Sequence, residues 1–274
     1  MASLQQMESE QIPTMTGMEM ATLRNKTALV TGASRGIGRA TAAALAKAGA
    51  HVLVHYGRSS PEAESLVDSI RSKGGRAEAI RADLATTDGA TALAREVRSI
   101  GGERLDVLVC NAGVSKSATI RDHTIEDFDS LFATNVRSPF FLIQQVLPIL
   151  GQGSNIVLIS SLAARTVVGK PDLDNRSILA YASTKGAIET LVKNFAAILG
   201  PRGIRVNAVA PGVIETDMSN FTKTEAGREV TLAMQALKRI GQPEDGAEVV
   251  AFLASDAARW VTGASIPVDG GSKL

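Results

Sequence analysis

From Lys26 onward the chain alternates short apolar runs with amphipathic stretches, and this alternation restricts the fold more than any other feature. "TALVTG", "HVLVHY", "AEAIRAD", "LDVLVCNAG", "NIVLIS", "IRVNAVAPG" and "ASIPVDGG" read as seven strands. Between them lie the helical patterns "GRATAAALAKAGA", "PEAESLVDSIRSKGG", "GATALAREVRSI", a long "TIEDFDSLFATNVRSPFFLIQQVLPIL", the stretch "ILAYASTKGAIETLV" and further helix over about 216–255. Strands that are apolar along their whole length must be covered on both faces. Strict alternation with helices makes such a sheet parallel. The sequence therefore predicts an α/β fold: a Rossmann-type, doubly wound parallel sheet of about seven strands with helices on both faces, in one domain over 23–274.

Composition narrows the function classes. Basic and acidic residues number 29 and 28, so no charge excess favours nucleic acid or an anionic membrane. A single cysteine, Cys110, excludes an internal disulfide and says nothing against a reducing cytoplasm. No apolar run reaches the roughly 18 residues of a membrane span. Residues 1–22 are polar, methionine-rich and aperiodic, without the basic start and apolar centre of a signal peptide. They are expected to be a disordered extension or an alternative start region. A cytoplasmic protein acting on a small molecule, with neither nucleic acid nor membrane as partner and without a metal, is the expectation.

Ligands of open parallel sheets bind at the carboxyl ends of the strands, so the residues that follow each strand are informative. After the first strand, Gly32, Gly36 and Gly38 stand in "TGASRGIG", between strand and helix. Glycines there let the chain turn tightly and let backbone N–H groups approach a pyrophosphate at a helix N-terminus. The second strand ends in "VHYGRSS", where the acid that an NAD ribose requires is missing; Tyr56 and Arg58 stand there instead, and Arg35 lies in the glycine turn. Guanidinium groups pair well with phosphate, so a 2′-phosphate fits. The alternative is that both arginines are ordinary solvated side chains. Asp83 follows the third strand and could meet an adenine amino group; Asn111 and Gly113 make a turn after the fourth. Ser160 and Ser161 follow the fifth, each a hydroxyl that could meet a substrate.

Tyr181 and Lys185 come next, at i and i+4 on one helix face. A phenol has a pKa near 10. A fixed ammonium beside it is expected to lower that value and fit the pair for acid–base work on an alcohol or carbonyl. In isolation Y-x-x-x-K is commonplace; its weight comes from agreement with the glycine turn, the serines and the order of elements.

These motifs, with "ADL", "NAG", "YASTK", "VNAVAPGVIETDM" and "VDGG", resemble the short-chain dehydrogenase/reductase family over essentially all of 25–271. Within it the text is most similar to β-ketoacyl carrier-protein reductases and related bacterial carbonyl reductases. The resemblance implies an NADP(H)-dependent ketone reductase. Tyr181 would exchange the proton with the substrate oxygen, Lys185 would bond the nicotinamide ribose, Ser161 would hold the carbonyl, and Asn135 in the long fourth helix would keep a relay water. Ser34 and Ile37 of the glycine turn, Leu84, Ala112, and the segment Pro211, Gly212, Val213 to Thr216 would line the cofactor. A homotetramer, built through the fourth and fifth helices and the last strand, is also implied. The rivals are an NAD-linked dehydrogenase of sugars or secondary alcohols, which the missing acid opposes, and a non-catalytic dinucleotide binder, which the presence of all four catalytic-type residues opposes.

Three places depart from the family pattern. Cys110 replaces one of two asparagines before "AG" and reads as a buried structural thiol. Carrier-protein reductases tend to carry basic residues before the fifth strand and at the end of the tyrosine helix; "LPILGQGSN" has none, whereas Arg202 fits the second position. Ser161 and Tyr181 are 20 residues apart, longer than the usual dozen or so, with "VGKPDLDNRS" reading as a polar surface loop that could rim a pocket.

Overall fold

The computed structural model describes residues 22–168 and 172–274, so nearly all of the N-terminal extension and positions 169–171 of the polar loop lie outside the described residues. Seven strands form a single parallel sheet: β1 Thr27–Val30, β2 His51–Tyr56, β3 Arg76–Arg81, β4 Val107–Cys110, β5 Asn155–Ile159, β6 Arg205–Pro211 and β7 Ser265–Val268. Their spatial order is β3-β2-β1-β4-β5-β6-β7. β1 pairs with β2 on one side and with β4 on the other, so the order reverses there and a crevice opens above the carboxyl ends.

Alternation along each strand sends side chains to two separate cores. Leu29, Leu53, Leu108 and Ile156 face one layer, made by α3 (Gly89–Gly101), α5 (Ser138–Val146) and α6 (Leu179–Leu199). Ala28, Val30, Val52 and Val107 face the other, made by α1 (Gly36–Lys47), α2 (Ser60–Ser72) and α8 (Pro243–Ala254). Leu29 and Leu108 are register partners and wholly buried. Each such side chain contributes about 1.5–3 kcal/mol relative to an exposed one. Among the described residues two further α-helices are α4 (Ile125–Phe132) and α7 (Glu225–Met234).

One element differs from the sequence reading. The long fourth helix is not continuous: α4 runs into a π turn over Ala133–Arg137, and α5 starts only at Ser138. Pro139 supplies the reason. It has no N–H for the carbonyl four residues back, which is that of Asn135, and its ring would clash with that carbonyl in a regular helix. The chain widens instead, and the Ser138 N–H reaches the Ala133 carbonyl. Such turns recur at functional sites.

Candidate active site

The glycine turn has the shape its residues dictate. Gly32 and Gly36 hold φ of +63° and +55°, where other L-residues are strained. Gly38 is needed for space: a Cβ there would lie 2.3 Å from Asn111 Nδ2 and 2.4 Å from the Gly32 carbonyl oxygen. Helix α1 starts without a side-chain cap or an acid in its first turn, so its leading N–H groups are left for an anion. Ser34 and Pro211 are buried, and Ile37, Gly212 and Val213 are partly exposed. Thr216 lies against the turn, since a Cβ on Gly36 would meet its Cγ2 at 3.2 Å. Arg35 reaches Asp217 at 3.2 Å across the crevice, both side chains exposed. These features fit a dinucleotide whose pyrophosphate sits on α1.

The turn is held by Asn111 together with two residues the sequence reading passed over, Thr31 and His55. Thr31 Oγ1 accepts the N–H groups of Asn111 and Ala112, both at 2.9 Å. Asn111 Nδ2 donates to the carbonyls of Thr31 and Gly32. His55, buried in β2, accepts the Gly32 N–H at Nδ1 (3.0 Å) and donates from Nε2 to the Ala82 carbonyl (3.1 Å). Its signal was a histidine inside an otherwise apolar strand. Burial pushes its pKa from 6.5 down to about 4, against the Ala82 bond and the nearby Asp83. The ring is neutral in folded and unfolded chains above pH 6.5, so stability is full there. Between pH 6.5 and 4 the unfolded chain takes up a proton that the folded chain refuses. Urea unfolding should therefore show on the order of 3 kcal/mol lost across that window through this group. His55→Gln should flatten the slope; equal slopes in both proteins would refute the assignment.

Near the adenosine end, Tyr56 is partly exposed and its hydroxyl accepts from Ser60 at 3.1 Å. Arg58 and Asp83 are exposed, with one Asp83 oxygen taken by the Ala85 N–H. Leu84 is buried in the core beneath them.

The π turn buries Asn135 and aims its side chain at the β4–α4 loop. Its Oδ1 accepts the Val114 N–H and its Nδ2 donates to the Val114 carbonyl, both at 2.9 Å, and to Thr184 Oγ1 at 3.0 Å. The amide is thus fully engaged in fixing the loop and α6. What Pro139 leaves without its helical donor is the Asn135 main-chain carbonyl. Gly113 is needed here, because a Cβ would press on Asn135 Oδ1 at 3.3 Å and approach Lys185 Nζ at 3.7 Å.

At the end of β5 the two serines part company. Ser160 is buried and donates to Glu189 Oε1 at 2.6 Å. Ser161 has extended backbone (φ −167°, ψ 154°), caps the turn Leu162–Ala164 by accepting the Ala163 N–H, and faces the Tyr181 phenol. Ser161 is therefore the available hydroxyl. Glu189 also accepts from Ser265 Oγ (2.7 Å) and from Arg165 (2.9 Å), which in turn donates to the Ser265 carbonyl. Burial alone would raise its carboxyl pKa, but these bonds together hold it below the usual value.

Lys185 is buried, lies 5.5 Å from the Tyr181 ring centre and donates from Nζ to the Ile159 carbonyl at 2.7 Å. Burial brings its pKa down to about 8. The tyrosine departs from expectation: burial raises its pKa, and the Ser161 bond only partly offsets this. The ammonium is directed at a carbonyl and the ring rather than at the phenol oxygen, so the expected lowering is absent.

Arg202, expected to fit a basic docking position, is exposed and is in no ion pair among the described residues. It donates to the carbonyls of Leu147 (3.1 Å) and Leu150 (2.8 Å), closing the end of the α5 region. The described part of the polar loop lies on the β4–α4 loop, through paired backbone bonds between Ala118 and Ser177, the bond from Arg176 to the Ser117 carbonyl, and the Arg121–Asp174 ion pair at 3.4 Å.

A phenol, a hydroxyl and an ammonium gathered beside a dinucleotide crevice define a nucleotide-dependent oxidoreductase. Residues 32–273 match the family described as enoyl-(acyl carrier protein) reductase. The chain is 41% identical over 262 residues to versicolorin reductase of Emericella nidulans, covering 91% of this chain and 96% of the relative. It is 40% identical over 247 residues to a 3-oxoacyl-[acyl-carrier-protein] reductase of Staphylococcus epidermidis, covering 90% and 98%. Among solved structures, the angucycline C-6 ketoreductase LanV with bound NADP is 39% identical, with a TM-score of 0.84 over 93% of this chain and 98% of that one. The chain belongs to the short-chain dehydrogenase/reductase family.

Proposed function

We propose that the protein reduces a ketone to a secondary alcohol with NADPH. The observation that carries this is the Ser161 hydroxyl facing the Tyr181 phenol at the end of β5, one helical turn from Lys185, whose Nζ lies close to Gly113 of the turn after β4. The nicotinamide cofactor supplies the hydride chemistry when bound. Ser161 donates a hydrogen bond to the substrate carbonyl oxygen. Tyr181 gives that oxygen its proton; a raised pKa keeps the phenol in the acid form that reduction needs. Lys185 steadies the ring and binds the ribose. The Asn135 carbonyl, which Pro139 cannot serve, would hold a water that relays the proton to Tyr181. Gly32, Gly36, Gly38, Asn111 and Thr216 shape the cofactor bed. NADPH oxidation across a panel of ketones tests the reading; no turnover of any ketone would refute it.

The named relatives include reductases of free polycyclic ketones and of carrier-bound acyl groups. Charge favours the free ketone. Every described lysine and arginine of the two rim loops is engaged: Lys116 by Asp127, Arg121 by Asp174, Arg165 by Glu189 and Arg176 by the Ser117 carbonyl. The same loops and the segment after Thr216 expose Val114, Val167, Leu173, Met218 and Phe221. An acidic carrier would find little to hold it, while an apolar ketone would.

Preference for NADPH rests on Arg35 and Arg58, with no acid among Gly57–Ser60. Arg35 has only to leave exposed Asp217 to reach a 2′-phosphate. Arg35→Ala with Arg58→Ala should raise the NADPH Michaelis constant more than about tenfold, at roughly 1.5–3 kcal/mol per charged contact, and leave NADH little changed. Equal native use of both cofactors would sink this assignment.

Self-association, as a homotetramer, is part of the proposal. Phe128 of α4, Phe140 and Phe141 of α5 and Ile198 of α6 are exposed, and Trp260, just before β7, is 96% exposed. Such apolar surface suits contact between copies. Among the described residues no helix is long and apolar enough to cross a membrane. A cytoplasmic location is proposed with it, which the free thiol of Cys110 suits.

A further inference from the structure

Two consecutive residues at the end of β5 are gripped by one helix. Lys185 Nζ holds the Ile159 carbonyl at 2.7 Å, and one turn later Glu189 Oε1 holds the Ser160 hydroxyl at 2.6 Å. Tyr181, Lys185 and Glu189 stand at i, i+4 and i+8, along one stripe of α6. The carboxylate is itself fixed from two further elements, by Arg165 on the turn after Ser161 and by Ser265 on β7. In extended backbone, neighbouring side chains point to opposite faces. Pinning Ser160 to the back of the strand end therefore decides where Ser161 points. Without the pin, either hydroxyl could turn to the phenol, and the strand end could rotate between them.

We propose that Glu189 is a positioning residue of the reductase: by anchoring Ser160 it orients Ser161 toward the substrate carbonyl and Tyr181. It touches neither substrate nor cofactor. The proposal rests on the reading of Ser161 as the carbonyl-binding hydroxyl.

Its test is a double-mutant cycle on turnover, read beside NADPH binding by fluorescence and thermal melting. Glu189→Ala should keep NADPH affinity within about twofold and lower kcat by about 10- to 10²-fold, the range expected when a reacting group is displaced by an ångström. Ser160→Ala removes a single hydroxyl, is the milder variant should Glu189→Ala fold poorly, and should lose turnover in the same sense. Glu189→Gln keeps one acceptor oxygen and should recover part of the rate. The deciding readout is coupling: in a Ser161→Ala background, Glu189→Ala and Ser160→Ala should cost no further turnover, because they act only through Ser161. A merely structural carboxylate would give additive losses that follow the melting temperature, and that result overturns the proposal. So does native turnover in Glu189→Ala or in Ser160→Ala. Native turnover in Ser161→Ala alone would instead bring down the reading of the site on which the proposal stands.

Discussion

Tyr181→Phe should bind NADPH with near-native affinity and lose turnover by about 10²- to 10⁴-fold, the range of general acid–base catalysis. The substitution keeps the ring that lies 5.5 Å from Lys185 Nζ and removes only the phenol oxygen. Lys185→Ala should be at least as damaging. It takes away a contact proposed for the ribose and also the bond to the Ile159 carbonyl that ties α6 to β5. The two losses should not add, because the residues act as one unit. Lys185→Arg keeps a charge but cannot place it in the same buried space, and should stay impaired. Single-variant kinetics beside cofactor titration measure all of this. A Tyr181→Phe enzyme that reduces its best ketone at near-native rate would show that Tyr181 is not the acid.

Gly38→Ala should lose cofactor binding and stability together. The added Cβ would stand 2.4 Å from a backbone oxygen and 2.3 Å from the amide that braces the turn. Neither can yield cheaply, since Asn111 Nδ2 is held by the carbonyls of Thr31 and Gly32. Overpacking of this kind costs about 1–3 kcal/mol or more. Displacing the start of α1 should weaken NADPH binding by more than about tenfold. Gly74→Ala provides the contrast. Its φ of +81° is strained, but the space around it is open and it lies between α2 and β3. That variant should lose about 1 kcal/mol and bind NADPH as before. Normal NADPH titration by Gly38→Ala would mean the turn does not carry the pyrophosphate.

Much of this molecule could be read from its text because the informative residues act locally. Seven apolar runs separated by helical patterns fix a parallel sheet, and glycines between a strand and a helix announce an anion-binding turn. What could not be read depends on partners distant in sequence or on burial. Nothing near Ser160 tells that Glu189, 29 residues on, takes its hydroxyl. Nothing near Arg202 tells that its guanidinium closes the end of α5, more than 50 residues back. The phenol pKa was misjudged for the same reason. Spacing placed Lys185 beside Tyr181, but only the packed structure shows the ammonium turned to Ile159 and desolvation prevailing. The break in the fourth helix had a local signal, Pro139 four residues after Asn135, which the continuous apolar pattern outweighed.

That break makes chain length, and not only composition, a constraint. A regular helix advances about 100° per residue. The π turn inserts a single-residue phase slip between α4 and α5, which lets Asn135 point inward to Val114 while Phe140 packs against Phe195 at 5.5 Å. Deleting any one residue of Ala133–Arg137 would remove that slip and swing one half by that angle. Either the amide or the phenylalanine would then miss its partner. Gaps among aligned relatives should therefore be tolerated in the loop that follows Ser161 and refused here, so that this short turn behaves as an indel-intolerant clock within an otherwise permissive helix.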